Sequence, residues 1–562
     1  MLKIAIAQIN PTIGDFQYNT NKIIQDCKLA NEVGADIIVF PELCIPGYYP
    51  MDLIDDVEFI MKTQKALMYI RTQSISLKLT IVLGTITKNK SGIGKPYFNS
   101  AIVLKEGDII AEYHKQLLPT YNIFNERRHF ESGDCEPCII TISDIKIGIL
   151  ICEDIWNEDR KGYVVDPTYE TRNAGAELII SLNASPSNLG KRKQRHDLLS
   201  KTCNRHKVSL LYVNCIGGQD ELVFDGASFA MNKTGEVEYE APMFESTLDF
   251  VSFDGNNFKE LYPKTSDLGT YVEHNEFYYR QIILGLRDYL CRCGFEKVVV
   301  GCSGGIDSAL VLALAVDAIG CENVTAITMP SKYSSLSSVE DSETLCLNLG
   351  IRLFYHGIRP EMEQAIQHYE YVFHESIKPL TEENMQARER GRILMTYSNN
   401  TGALLLTTGN KSEIAVGYCT LYGDTTGGLG IIGDLYKTEV FALAGYYNEL
   451  HGSKIIPDTI LNKEPSAELA LDQKDADSLP PYEILDIILK SLLEKTILST
   501  DEMETVENYV SEINVTNVSL IDKIKLMIAR SEYKRNQMPP IIRVRPIAFG
   551  KGRQMPIAAH YN

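Results

Sequence analysis

No apolar run in this 562-residue chain approaches the roughly 20 residues that a membrane-spanning helix needs, so no helical span is expected. The opening stretch, MLKIAIAQINPTIGD, is too short in its apolar part for a signal h-region. It alternates like a strand until Asn10-Pro11 breaks it, and it reads as the first core strand. Positive charge is scarce: 55 Lys and Arg stand against 74 Asp and Glu, a net charge of −19. Such a field repels polyanions at long range, so a nucleic-acid partner is disfavoured and any anionic substrate must be held by local donors. A disulfide framework is missing as well. The 13 cysteines sit mostly inside apolar runs without framework spacing, as expected for thiols of a reducing compartment, here the cytoplasm. Cys135-Glu-Pro-Cys138 has no second pair at zinc-ribbon spacing and reads as structural. There is no internal repeat and no low-complexity segment.

What is present is an ordinary globular composition, 44% hydrophobic and 23% charged, in a chain too long for one hydrophobic core. The first half alternates short β-rich runs (IAIAQI, ADIIVF, LTIVLGTIT) with helical stretches, and further apolar runs follow at 145–151, 177–182 and 209–214. Continuous apolar strands separated by helices predict sheets covered by helices. A polar, aperiodic stretch near 253–275 contains the expected linker, giving domains at 1–265 and 276–562 with 266–275 between them. After it, a helix over 276–293 stopped by Gly294 precedes KVVVGCSGG, NVTAITMP, IRLFYHGI and GALLLTTGN. That spacing predicts a second, open parallel sheet whose ligand sits at the carboxyl ends of its strands.

Three segments of the first half place a reactive group directly after a predicted strand: PEL at Glu42, HKQLLP at Lys115 and ICEDIW at Cys152. A thiol with an ordinary pKa near 8.5 is only a few per cent ionised at neutral pH, so a nucleophilic cysteine needs a base and a nearby cation. Glu42 is the candidate base and Lys115 the candidate cation, one that also stabilises an oxyanion. These residues resemble the Glu-Lys-Cys triad of nitrilase-type amidases. The flanks PELCIPGYYP, KQLLPTYNIFNERRHF and CEDIW are similar to the glutaminase domain of glutamine-dependent NAD synthetases. The resemblance implies that Cys152 attacks the glutamine carboxamide, that Glu42 relays protons and that Lys115 supports the oxyanion. It also implies glutamine contacts at Tyr121, Ser185 and Lys191. The remainder of the basic run 191–195 reads as a solvated helix face.

VVVGCSGGIDSALVLALAV offers two readings of one turn. As G-x-S-x-G it would present Ser303 as a hydrolase nucleophile. No HGGG-like stretch precedes it, and no following histidine has a persuasive context. As SGGIDS it is a loop of backbone N–H groups and hydroxyls at a helix N-terminus, suited to phosphate. Asp307 would repel phosphate by about 4 kcal/mol at 4 Å for an effective dielectric near 20, unless a magnesium ion bridges the two. The lysine of a Walker A loop is absent. The segment instead resembles the SGGxDS loop of ATP pyrophosphatases. With MPSKYSS, TTGNKSE, YGDTTGGLGIIGDLYKTEV, PSAEL and SEYKRNQMPP it is similar to the synthetase domain of NAD synthetases, so the resemblance spans nearly the whole chain.

The implied fold is α/β: a nitrilase-like α-β-β-α sandwich followed by a Rossmann-like parallel-sheet ATP-pyrophosphatase domain. The implied activity is that of a carbon–nitrogen ligase with glutamine as amido donor, making NAD from deamido-NAD, with ATP as co-substrate and Mg²⁺. ATP contacts are implied at Gly301, Cys302, Ser303, Gly304, Gly305, Ile306, Asp307, Ser308 and Thr408. Deamido-NAD contacts are implied at Asn384, Glu413 and Lys534, and metal contacts at Asp307 and Glu413. The family also implies a homo-oligomer, a dimer of synthetase domains or larger. Gly428-Leu-Gly430-Ile-Ile-Gly433 matches GxGxxG in letters but follows a polar turn rather than a strand, so it does not read as a dinucleotide fingerprint. A rival enzyme, a tRNA-modifying ATP pyrophosphatase, would need a basic surface that this chain lacks.

Overall fold

The computed structural model describes residues 1–157, 162–262, 272–471, 473–513 and 516–559. Within them the chain divides into two compact units, Met1–Val272 and Glu273–Asn562. Of the expected linker 266–275, residues 266–271 lie outside the described ones. No described helix is long and apolar enough to cross a membrane.

The first unit is built on two sheets. One has seven strands, in the order Phe258–Glu260, Thr247–Phe253, Leu2–Gln8, Ile37–Val39, Thr80–Lys88, Tyr97–Lys105, Asp108–His114. The other has six, in the order Val237–Glu240, Phe229–Met231, Ser209–Asn214, Leu178–Asn183, Ile145–Ile151, Cys138–Ile142. Alternation within the opening strand assigns its two faces. Ile4 and Ile6 join the core shared with Ile147 and Ile149 of the second sheet. Ala5 and Ala7 join the core under helices Phe16–Val33 and Val57–Ser74. Helix Lys191–His206 covers the outer face of the second sheet through Leu199 and Cys203. The layers are therefore α-β-β-α, and the apolar strands are buried on both faces as their unbroken hydrophobic runs require.

The second unit holds five parallel strands in the order Arg352–Tyr355, Val324–Thr328, Val298–Gly301, Leu404–Thr407, Leu429–Gly430. In chain order this is 3-2-1-4-5, so the topological switch lies between Val298–Gly301 and Leu404–Thr407, where open parallel sheets bind ligands. Val299, Ile327 and Leu405 pack under helices Arg359–Phe373 and Pro379–Thr401. Helix Ile306–Ile319, apolar nearly all round, packs against helices His274–Cys293 and Lys437–His451. A helical layer of Tyr482–Glu494, Thr500–Glu512 and Asn517–Arg530 packs on the short helix Lys411–Val416.

The glycines of 427–433 serve close packing. A Cβ at Gly427 would lie 2.6 Å from Thr407, one at Gly428 would lie 2.3 Å from Leu404, and one at Gly433 would lie 2.9 Å from Ile541. No helix opens until Lys437, as expected of a segment that is not a dinucleotide fingerprint.

Candidate active sites

In the first unit, Glu42, Lys115 and Cys152 each follow the carboxyl end of a strand. The turn carrying Glu42 lies directly on Gly84, where a Cβ would be 2.3 Å from the Leu43 nitrogen, so only glycine lets the turn settle there. Lys115 Nζ donates to Glu42 Oε1 at 2.7 Å and to Glu126 Oε1 at 2.8 Å, and all three side chains are at most 1% exposed. Glu42 Oε1 also accepts from Asn99 Nδ2 at 2.7 Å, and its Oε2 accepts from the Ala184 N–H at 3.0 Å. Glu126 Oε1 accepts from the Tyr48 hydroxyl at 2.7 Å, and Glu126 Oε2 has no hydrogen-bond partner among the described residues.

Burial alone would pull the Lys115 ammonium down, but the Glu126 and Glu42 carboxylates outweigh it and hold Lys115 well above the ordinary lysine range. Lys115 is therefore a fixed cation. Cys152 opens the 3₁₀ turn Cys152–Ile155 with φ at +43°, the left-handed region. Burial, reinforced by Glu42 and opposed by Lys115, pushes its thiol well above the ordinary value, so the resting sulfur keeps its proton. The turn is held by Asp154, whose Oδ1 accepts from the Gln116 and Leu117 N–H groups and whose Oδ2 accepts from the Tyr113 hydroxyl and the Ile151 N–H.

The three expected glutamine contacts lie around this turn. The Tyr121 hydroxyl donates to Glu153, the residue after Cys152, at 3.0–3.1 Å. Ser185 follows Ala184, the N–H donor to Glu42, and its Oγ accepts from Arg195 Nε at 3.3 Å. Lys191 Nζ sits 3.9 Å from the Trp156 ring centroid. The expected solvated basic face fails at two positions: Arg192 pairs with Glu240, and Arg195, fully buried, pairs with Asp225. A charge run conceals such burial because sequence does not reveal a partner 30 or more residues away.

In the second unit, the turn after Val298–Gly301 is closed by its own hydroxyls. The Ser303 N–H donates to Ser308 Oγ at 3.2 Å, the Gly305 N–H donates to Ser303 Oγ at 3.2 Å, and Ser308 Oγ donates to the Gly305 carbonyl at 3.0 Å. Gly304 has φ at +76°, and a Cβ there would lie 2.2 Å from the Ser338 carbonyl. The Ser303 hydroxyl has Ser308 Oγ and the Gly305 N–H as partners and no histidine among the described residues, so the hydrolase elbow has no base here.

Asp307, in the first turn of helix Ile306–Ile319, accepts from Asn410 Nδ2 at 2.8 Å and from Lys437 Nζ. Lys437 also donates to Glu413 Oε1 at 3.1 Å. Glu413 is set by a capping box with Asn410 at the start of helix Lys411–Val416. Burial, then the Asp307 and Asp475 carboxylates, push Glu413 up to about 8 against the pull of Lys437. Three carboxyl groups around one lysine supply oxygen donors in surplus, and such donors suit a hard divalent cation. Asp307 and Glu413 fit magnesium on that ground.

These groups line a cavity of about 280 Å³ together with the 301–308 turn and Thr408. Asn384 and Lys534 are not among its lining residues. Asn384 Oδ1 accepts from Thr420 Oγ1 at 2.8 Å, and Lys534 Nζ donates to the Gly417 and Cys419 carbonyls at 2.8 and 2.7 Å. Both hold the segment that contributes Tyr418 to the cavity wall.

Sequence reasoning missed Glu126 and Lys437. Glu126 stood in the quoted run NERRHF and Lys437 in GDLYKTEV, where each reads as an ordinary surface charge. Only their burial between charged partners marks them.

Comparison with known proteins identifies a family in each unit. Residues 3–257 match the carbon-nitrogen hydrolase family and residues 278–538 the NAD synthase family. The chain is 41% identical over 569 residues to the glutamine-dependent NAD(+) synthetase of Synechocystis, covering 100% of this chain and 99% of that protein. It is 39% identical to the Thermotoga maritima protein of the same name, again over 100% of this chain and 99% of the other. A solved structure of the Acinetobacter baumannii glutamine-dependent NAD+ synthetase, in complex with ADP, matches at a TM-score of 0.76 and 35% identity over 99% of this chain and 98% of that one. With two family matches, one in each unit, and full-length identity of this order, the chain belongs to the glutamine-dependent NAD(+) synthetases.

Proposed function

We propose that this chain converts deamido-NAD, ATP and glutamine to NAD, AMP, pyrophosphate and glutamate. The observation that carries the reading is the sealed Glu42–Lys115–Glu126 group beside Cys152 on the same chain as the Ser303–Ser308 turn and its acid-rich cavity. In the first unit the resting thiol is neutral, so Glu42 takes the Cys152 proton as the sulfur attacks the glutamine carboxamide carbon. The oxygen of the tetrahedral adduct gains charge that the fixed Lys115 cation offsets. Glu42 returns the proton to the departing ammonia, leaving a thioester. It then deprotonates water, which attacks the thioester carbon and releases glutamate and the thiol. Tyr121, Ser185 and Lys191, arranged about the Cys152–Ile155 turn, are the proposed holders of glutamine.

In the second unit the backbone and hydroxyls of 301–308, with Thr408, hold ATP, and Lys437 offers its ammonium to the polyphosphate. Asp307 and Glu413 would hold Mg²⁺, which when bound screens phosphate charge and favours departure of pyrophosphate. The nicotinate carboxylate attacks the α-phosphorus and pyrophosphate leaves. Ammonia then adds to the acyl carbon and displaces AMP. Glu413, Asn384 and Lys534 are the proposed deamido-NAD contacts, the last two also ordering the 417–420 segment. A homo-oligomer, a cytoplasmic location and channelling of ammonia, which protonates and escapes in open water, complete the reading.

The test is product analysis. Incubation with deamido-NAD, ATP, Mg²⁺ and glutamine yields NAD, AMP, pyrophosphate and glutamate in equal amounts. ADP and phosphate in place of AMP and pyrophosphate would contradict the adenylation step.

A further inference from the structure

Two buried cysteines meet where the 301–308 turn packs on helix Leu336–Leu349. Ser338, Ser342 and Cys346 stand four residues apart on that helix and share the face turned to the loop. Gly304 is pressed on Ser338, where a Cβ would lie 2.2 Å from the carbonyl. Cys302, directly before Ser303, is fixed by its N–H to the Ile327 carbonyl at 2.9 Å. Its sulfur accepts from the Cys346 thiol and from the Gly304 N–H, with the Ser342 hydroxyl beside it.

This contact divides the two thiols. Burial pushes Cys44 and Cys419 elsewhere in the chain up to about 12. Cys302, equally enclosed, is held below the ordinary thiol value because Cys346 donates to it, and burial only opposes that. Cys346, the donor, is held well above it. Access is one-sided as well. Cys302 lines the cavity of about 280 Å³, and Cys346 is not among its lining residues. A small oxidant entering the cavity therefore meets the more acidic sulfur first, with a second thiol waiting behind it.

We propose that Cys302 and Cys346 are a redox-sensitive dithiol, converted by hydrogen peroxide to a disulfide that deforms the 301–308 turn and stops nucleotide binding. The Cys302 sulfur gives up its proton and attacks a peroxide oxygen; the O–O bond breaks, and hydroxide leaves with that proton as water. Cys302 is now a sulfenic acid. The Cys346 sulfur attacks the Cys302 sulfur, the S–O bond breaks, and the second hydroxide leaves with the Cys346 proton. Two thiols and one peroxide thus give one disulfide and two waters. A disulfide holds its sulfurs about 2.05 Å apart, far closer than two thiols in contact. Gly304 already touches the helix and cannot follow. The Cys302 sulfur must therefore swing away from the Gly304 N–H, and the turn loses its shape. The proposal rests on the reading of that turn as the ATP site.

The test uses the full-length protein and its Cys346→Ser variant, with melting temperature as a check on folding. Each is treated with hydrogen peroxide, alkylated and mapped as peptides without reduction. NAD formation is assayed with ammonia, so that oxidation of Cys152 is not read. The unaltered protein is expected to yield a Cys302–Cys346 linked peptide and to lose about tenfold or more of its activity, the worth of one lost hydrogen bond to a charged group. Dithiothreitol restores that activity in full. Cys346→Ser, as active as the unaltered protein before treatment, forms no link; its Cys302 proceeds to sulfinic acid, and the loss is not recovered by dithiothreitol. Absence of the linked peptide from the unaltered protein, a link without loss of activity, or full recovery of the variant would each overturn the proposal. Failure of the reduced protein to bind ATP by calorimetry would instead remove the ATP reading on which it stands.

Discussion

The two units solve opposite problems with the same three groups, a lysine between two carboxylates. In the first, Lys115 lies between Glu42 and Glu126 with all three side chains at most 1% exposed. In the second, Lys437 lies between Asp307 and Glu413, whose side chains keep 18% exposure onto the cavity. The sealed group is closed to solvent and its charges are held by one another; in the proposed reaction it moves a proton to and from Cys152. In the open group, burial and the neighbouring acids push Glu413 up to about 8, and the proposed reaction places a further cation and a polyphosphate there. Enclosure, more than residue identity, separates the two groups and the roles proposed for them.

Breaking the open group has the largest effect expected. Asp307→Ala removes NAD formation by about a thousandfold or more with either glutamine or ammonia as nitrogen source, while glutamine hydrolysis continues. The check is a paired assay of NAD and glutamate. Retained NAD formation would count against a cation held at Asp307.

Next in size is the sealed group. Lys115→Met leaves Glu42 and Glu126 buried together without their cation, and is expected to cost about 3–5 kcal/mol of stability as well as glutamine hydrolysis. Lys437→Met, whose carboxylates meet the cavity, loses nucleotide binding with a clearly smaller loss of stability. Urea unfolding of both variants measures the contrast, and equal losses would erase it.

A smaller effect sharpens the electrostatics of the second unit. Burial tends to raise Glu494, but Arg545 and Lys411 outweigh it and lower the carboxyl to about 2 from 4.5. A depressed carboxylate contributes stability above its unfolded value that is lost as pH falls through its folded value. That contribution, on the order of 3 kcal/mol, is therefore present above about pH 4.5 and declines toward pH 2. Glu494→Gln should flatten the pH dependence of unfolding in that window. An unchanged profile would show that the ion pairs do not act on stability.

Much of this was legible in the sequence because strands announce themselves as apolar runs and the reactive groups follow them immediately. Glu42, Lys115, Cys152 and the 301–308 turn were found that way, as was the change of architecture between the halves. Glu126 and Lys437 were not, since a charge on a short helix or helix start looks solvated until the fold buries it. Arg195 shows the same blindness from the other side, an apparent surface charge that is fully buried against Asp225. Asn384 and Lys534 were placed by resemblance, and the structure ties both to the 417–420 segment beside the cavity. Pattern locates strand ends; pairing across 30 to 130 residues emerges only when the chain is folded.

The division of labour between the units is tested most directly by Cys152→Ala, assayed for NAD formation from deamido-NAD and ATP with glutamine and then with ammonia. The glutamine-supported reaction is expected to vanish and the ammonia-supported one to be largely spared. Equal loss of both would contradict separate glutaminase and synthetase sites.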